Sequence, residues 1–183
     1  GKTTTSTAII KMFLRLYKVN RVLFLVDRLE LETQAKKEIN DILSNDFETA
    51  IWKENKDDWR RANIVISTVQ SFTKNNKYKR IFKPNSFDLV ISDEAHRSLG
   101  ASSRNVFEYF IGFKLGLTAT PRDFLKSVNE DDMSMTDPKE LERRLMLDTY
   151  SIFGCDDGEP TFRYSLLKGV EDGFLINPTV VDV

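Results

Sequence analysis

The sequence predicts an α/β domain built on a parallel sheet, and three observations carry that prediction. Val22-Leu23-Phe24-Leu25-Val26 is apolar at every position, as expected of a parallel strand covered on both faces. Further short apolar runs alternate along the chain with stretches of helical periodicity, the pattern of strands joined by crossover helices. Charged and hydroxyl-bearing residues follow the apolar runs directly, and parallel sheets present ligands outside the carboxyl ends of their strands.

Each element has its own warrant. From Thr5 to Tyr17 the apolar residues Ala8, Ile9, Met12, Phe13, Leu16 and Tyr17 recur at helical spacing and predict a helix with one buried stripe. Leu29 to Leu43 reads as a second helix, with Leu31, Ala35, Ile39, Ile42 and Leu43 as its inner side. Ile64-Val65-Ile66 and Leu89-Val90-Ile91 are two more strands, and Gly112 to Leu117 is a weaker one because of its glycines. Beyond Pro121 the chain turns polar. Arg122 to Arg144 carries loop and helix-start signals at Asn129-Glu130-Asp131-Asp132 and Thr136-Asp137-Pro138. A short helix is expected over Glu140 to Leu147, a turn over Asp156 to Pro160, and a last helix over Ser165 to Asp172, ended by Gly173. Asn177-Pro178 breaks structure before an extended Thr179 to Val183. The expected organisation is a single domain: residues 1–121 as the motif-bearing core, 122–160 as a polar insertion, and 161–183 as a packing segment and linker.

Composition narrows the class. A chain of 183 residues with 40% hydrophobic and 30% charged residues suits one soluble globular domain. No apolar stretch approaches the roughly 20 residues that span a bilayer, and no signal peptide is visible, so no membrane partner is expected. The one cysteine, Cys155, excludes an internal disulfide and fits a reducing cytoplasm. A single histidine excludes zinc sites built on His pairs. With a formal net charge of −1 there is no overall basic field, so any nucleic acid must be held by a local groove.

Two motifs carry phosphate chemistry. Gly1-Lys2-Thr3 matches the last three residues of the phosphate-binding loop G-x-x-x-x-G-K-[ST], without its glycine-rich arc. In such a loop the lysine reaches the β- and γ-phosphates and the hydroxyl binds Mg²⁺, while the helix that follows adds its positive dipole end. Taken alone, the triplet reads equally well as a chance match. Asp93-Glu94-Ala95-His96 is delivered to the tip of a strand by Phe87 to Ser92. The first carboxylate can hold Mg²⁺, and the second can orient and deprotonate the water that attacks the γ-phosphate. An aspartate here can also cap a helix, and His96 by itself reads as a structural polar residue. The two motifs together point to an ATPase using ATP and Mg²⁺.

Leu115-Gly116-Leu117-Thr118-Ala119-Thr120-Pro121, Ile66-Ser67-Thr68-Val69-Gln70-Ser71-Phe72 and Leu25-Val26-Asp27-Arg28 each follow a strand. In this order the set resembles the first RecA-like domain of a superfamily 2 helicase or translocase. The resemblance implies that Gly1, Lys2 and Thr3 end the phosphate loop, that Thr3 and Asp93 hold Mg²⁺, and that Lys2, Asp93 and Glu94 serve hydrolysis. It also implies that His96, Thr118 and Thr120 relay the nucleotide state. Arg28, Ser67 and Thr68 would contact a nucleic-acid backbone, a role that hydroxyls and guanidinium groups perform without reading sequence. Arg28 has a second reading as an ordinary surface ion-pair partner, the lesser of the two. Phe13, Phe24 and Phe87 lie in apolar runs and read as core.

Thr118-Ala119-Thr120-Pro121 is more similar to duplex-DNA translocases than to DEAH-type RNA helicases, which carry Ser-Ala-Thr. The tail includes Leu147-Asp148-Thr149-Tyr150, Phe153-Gly154-Cys155, Glu159 to Leu166, Gly169-Val170 and Asp172-Gly173-Phe174-Leu175. It resembles the motor (R, HsdR-type) subunit of type I restriction enzymes. That resemblance implies ATP-driven movement of duplex DNA, with modification and specificity subunits as partners. The nuclease domain, second RecA-like domain and helical tail of such subunits are not in this sequence. The chain alone is therefore expected neither to move nor to cut DNA, and to bind ATP poorly or not at all. Two rivals stay open: an RNA helicase or remodelling ATPase outside restriction systems, and a non-catalytic RecA-like module. The intact Lys2, Asp93 and Glu94 argue against the second.

Overall fold

The computed structural model describes residues 2–43, 46–95, 101–120, 149–155 and 159–176. Five strands, β1 (Val22–Val26), β2 (Thr49–Ile51), β3 (Ile64–Thr68), β4 (Leu89–Asp93) and β5 (Phe113–Leu117), form one sheet in the order β2-β3-β1-β4-β5. Every pairing is parallel. The helices are α1 (Lys2–Arg15), α2 (Leu29–Leu43), α3 (Lys56–Arg61), α4 (Val69–Thr73), α5 (Lys77–Ile81), α6 (Ala101–Tyr109), α7 (Thr149–Ile152) and α8 (Leu166–Glu171), with a 3₁₀ turn at Lys74–Asn76.

The all-apolar strands follow from the layers. Leu23, Leu25, Val65 and Val90 face one core, while Val22, Phe24, Val26, Ile64, Ile66, Leu89 and Ile91 face the other. Side chains alternate along a strand, so a strand in a sheet covered on both faces runs apolar at successive positions. The first core is aromatic, gathering Trp52, Trp59, Phe72, Tyr78, Phe82, Phe87 and Phe110. The second is aliphatic and takes Ile10 and Leu14 from α1 and Ile39 and Leu43 from α2. Phe24 and Phe87 are fully buried, and Phe13 packs against the aliphatic core.

β1 and α2 have the predicted bounds, and β3 and β4 extend two residues past theirs. The predicted stripe on the first helix is wrong. α1 buries Ser6, Thr7, Ile10 and Leu14, whereas Met12, Leu16 and Tyr17 are exposed, Tyr17 at 87%. The hydroxyls of Ser6 and Thr7 both donate to the Thr3 carbonyl at 2.8 Å. Satisfied hydroxyls can be buried, and a reading based on apolar spacing passes over them.

The sequence patterns do not predict β2, α3, the α4–α5 pair or α6. Of these, β2 is three residues long, too short to show a period. α8 lies within the predicted last helix: Ser165 caps it by accepting from the Lys168 amide at 3.1 Å, and Gly173 follows in the left-handed region with φ 77°. The expectations for Arg122 to Leu147, for residues 156–158 and for Asn177 to Val183 lie outside the described residues.

Candidate nucleotide site at the carboxyl edge of the sheet

The register brings the strand ends level. Val26 pairs with Thr68, Leu25 with Ser67 and Ser92, and Asp93 with Leu117. Residues just past these positions therefore share one edge, and the site is built there.

β4 carries its apolar run through the sheet and emerges at Asp93. The chain then turns at once, because Glu94 has φ 56°, in the left-handed region that few non-glycine residues adopt. Asp93 Oδ1 accepts the Glu94 amide at 3.1 Å and holds this turn. Across it stands the first residue of α1: Lys2 Nζ donates to Glu94 Oε1, an ion pair joining residues 92 apart in sequence. Both side chains keep about a third of their surface in solvent. Burial pushes the Asp93 carboxyl above the usual carboxylate range, while the Lys2 ammonium and the Glu94 amide pull it back. Thr3 follows Lys2 in the first turn of α1, which is reinforced by the Ser6 and Thr7 hydroxyls on its carbonyl.

An ammonium, a hydroxyl and two carboxylates thus gather at the positive end of a 14-residue helix. This donor set fits a nucleotide triphosphate with its metal. Among the described residues no cluster of three or more His, Cys, Asp or Glu could cage a cation. Mg²⁺ usually keeps waters and phosphate oxygens and takes only one or two carboxylates. Lys2 and the helix end would hold phosphate, and Thr3 and Asp93 the metal.

The other predicted residues are placed as follows. Thr118 lies one residue past the Asp93–Leu117 pair, and its Oγ1 accepts the Thr120 amide at 3.0 Å. Gly1 and His96 fall outside the described residues. Arg28, just past β1, is largely exposed, with Nε 3.4 Å from Asp27 Oδ2. Ser67 and Thr68 are buried at the end of β3. Ser67 Oγ donates to the Thr68 carbonyl at 3.0 Å. Thr68 Oγ1 accepts the Ser71 amide at 3.2 Å and donates to Ser71 Oγ at 2.7 Å, capping α4.

Sequence reasoning missed Glu32. It is 5% exposed, its Oε1 accepts the Thr68 amide at 2.7 Å, and its Oε2 lies 3.9 Å from Lys53 Nζ. The available signal was a carboxylate between Leu31 and Ala35 on the inner side of α2. Also missed was the run Lys74 to Lys83, with cations at 74, 77, 79, 80 and 83 and no acid.

This fold, with Lys2 meeting an Asp-Glu pair at the strand ends, is that of a RecA-like helicase domain. The chain belongs to the family described as type III restriction enzyme, res subunit, which it matches over residues 1–123. It is 32% identical over 195 residues to the type I restriction enzyme EcoAI endonuclease subunit of Escherichia coli, a match covering all of this chain and 20% of that relative. The chain thus spans about a fifth of that relative's length. Among solved structures, the helicase domain of Pyrococcus furiosus Hef shares the fold: TM-score 0.59, 20% identity, covering 84% of this chain and 31% of that one. The ATP-dependent type ISP restriction-modification enzyme LlaBIII, solved bound to DNA, is 25% identical with TM-score 0.50, covering 66% of this chain and 11% of that one. No helix among the described residues is long and apolar enough to cross a membrane.

Proposed function

We propose that the chain is the first RecA-like half of the motor in a type I restriction enzyme R subunit, coupling ATP hydrolysis to movement of duplex DNA alongside modification and specificity subunits. The observation that carries this reading is the Lys2–Glu94 ion pair beside Asp93 at the carboxyl edge of the sheet. Bound ATP and Mg²⁺ would supply the phosphoanhydride whose hydrolysis drives movement. Lys2 and the amides opening α1 bind phosphate, and Thr3 and Asp93 orient the metal. Glu94 accepts a proton from the attacking water. Lys2 Nζ donates to Glu94 Oε1, which sets that carboxylate beside the phosphate-binding ammonium. Thr118 and Thr120, with His96, would relay the nucleotide state to the nucleic acid.

The test is ATP hydrolysis by the full-length protein with duplex DNA, with single-stranded RNA and with neither. Stimulation by duplex DNA is expected. Glu94→Gln should lower turnover by about 10²- to 10⁴-fold while leaving nucleotide affinity intact. Stimulation by RNA alone would move the assignment to an RNA helicase outside restriction systems. Lost affinity with preserved turnover would overturn the role given to Glu94.

A further inference from the structure

We infer that the open edge of β2 is a docking site for an extended, basic segment of a partner protein, which adds to the sheet as a further strand. The strand order leaves β2 outermost, with β3 as its one neighbour among the described strands. Backbone groups alternate in direction along a strand. Glu48 accepts the Ile64 amide at 3.0 Å, and the Trp52 amide donates to the Ile66 carbonyl at 2.8 Å, so both residues face β3. Thr49 and Ile51 therefore turn their backbone groups to the open side. The Ile51 carbonyl accepts the Glu54 amide at 3.1 Å. The Thr49 N–H and C=O and the Ile51 N–H remain for an incoming strand, as the groups of a bare sheet edge do. The Thr49 hydroxyl is also buried without a partner, so this edge holds polar capacity that the fold does not use.

Two helices wall the edge. α2 and α3 both pack on β2, and a groove of about 780 Å³ runs between them, with Lys36 on the α2 side, Asp57, Asp58 and Arg61 on the α3 side, and Glu48 to Ala50 along its floor. Residues 46 to 48 precede β2 and Asn63 precedes β3, so the groove lies toward the amino ends of the strands. A segment held there leaves the nucleotide edge clear.

Charge selects the occupant. Of the lining residues, Asp46 is engaged by Arg15 at 2.5 Å and Lys36 by Glu54 at 2.7 Å. That leaves Glu48, Asp57 and Asp58, none with an ion-pair partner among the described residues, against Arg61. The excess of carboxylate repels phosphate and attracts lysine or arginine. Side chains of an added strand alternate between the two walls, so cations at every second position would meet Asp57 and Asp58 on the α3 side. A second copy of this chain does not fit, because pairing β2 with β2 would set these carboxylates against one another.

The experiment is fluorescence anisotropy with the full-length protein and three labelled peptides: an alternating lysine–valine peptide, its glutamate–valine counterpart, and the lysine peptide N-methylated at alternate amides. The lysine peptide should bind, and the other two should bind at least roughly tenfold more weakly. Asp57→Asn/Asp58→Asn should weaken the lysine peptide by about tenfold, as expected for two ion pairs. Glu30→Gln/Glu171→Gln, an equal charge change away from the groove, should leave it unchanged. Glu48→Gln, outside any helix, repeats the test if the first pair weakens α3. A lysine peptide that does not bind, or that binds the groove variants as it binds the parent, overturns the inference. An N-methylated peptide bound as well as its parent overturns strand addition. A dimer of the full-length protein in sedimentation, dispersed by Asp57→Asn/Asp58→Asn, would give the edge to a second copy and overturn the partner segment.

Discussion

Thr68 illustrates how one hydroxyl can be read two ways. By motif it faces a phosphate; in the fold it caps α4 through Ser71 and its amide is held by the buried Glu32. Thr68→Val should therefore cost about 1 kcal/mol in denaturant unfolding, with Thr68→Ser close to neutral. A Thr68→Val protein of parental stability that has lost DNA affinity would return the hydroxyl to a contact role. At Asp93 the folded-state carboxyl titrates above its unfolded value, chiefly through burial. Between those two values the native state binds more protons than the unfolded chain. The contribution to stability is thus greatest below the ordinary carboxylate pKa of roughly 4 and is lost as pH rises through the folded value. Asp93→Asn should flatten that slope in melts run across this window and raise stability at neutral pH, while abolishing metal-dependent turnover. An unchanged slope would show that Asp93 is not the group responsible.

At the level of elements, packing decides what local pattern leaves open. Apolar spacing selects the wrong stripe of α1 because two of its buried positions are hydroxyl-bearing and bonded to its own first turn. The glycines of the run 112–117 weaken the signal of β5, yet Gly116 is needed. A Cβ there would lie 2.8 Å from carbons of the Phe153 ring, which stands over the strand beside Phe107. Gly116→Ala should cost about 1–3 kcal/mol by overpacking. Combining it with Phe153→Ala should recover part of that loss in a double-mutant cycle. Additive losses would show that the ring does not set the constraint. At Gly112 the obstacle is backbone: the Phe87 and Asp88 carbonyl oxygens lie 2.5 Å from where a methyl group would sit. No side-chain rearrangement can relieve it, so the alanine variant there should be the more damaging.

For the whole molecule, strand order is the organising fact. It sets the Lys2–Glu94 pair at the end of β4 and a basic groove beyond β3 on one edge. The two cores differ in kind. The aromatic layer covers one face of the sheet, and the aliphatic layer covers the other and anchors α1, which presents Lys2.

Much of this is legible in the chain for a physical reason. Strands buried on both faces must be apolar throughout, so β1, β3 and β4 announce themselves. Phosphate and metal chemistry demands specific groups at strand ends, so Lys2, Thr3, Asp93 and Glu94 can be named without coordinates. The sequence by itself determined the α/β class and the central strands, and it singled out Lys2, Asp93 and Glu94, which the fold brings to one edge. Tertiary structure alone decided that Lys2 rests on Glu94, that Ser67 and Thr68 turn inward, that Glu32 is buried beneath them, and that scattered cations at 53, 74, 77 and 80 line one groove. Those facts depend on which strands are neighbours and which hydroxyls find partners, and spacing along a chain records neither.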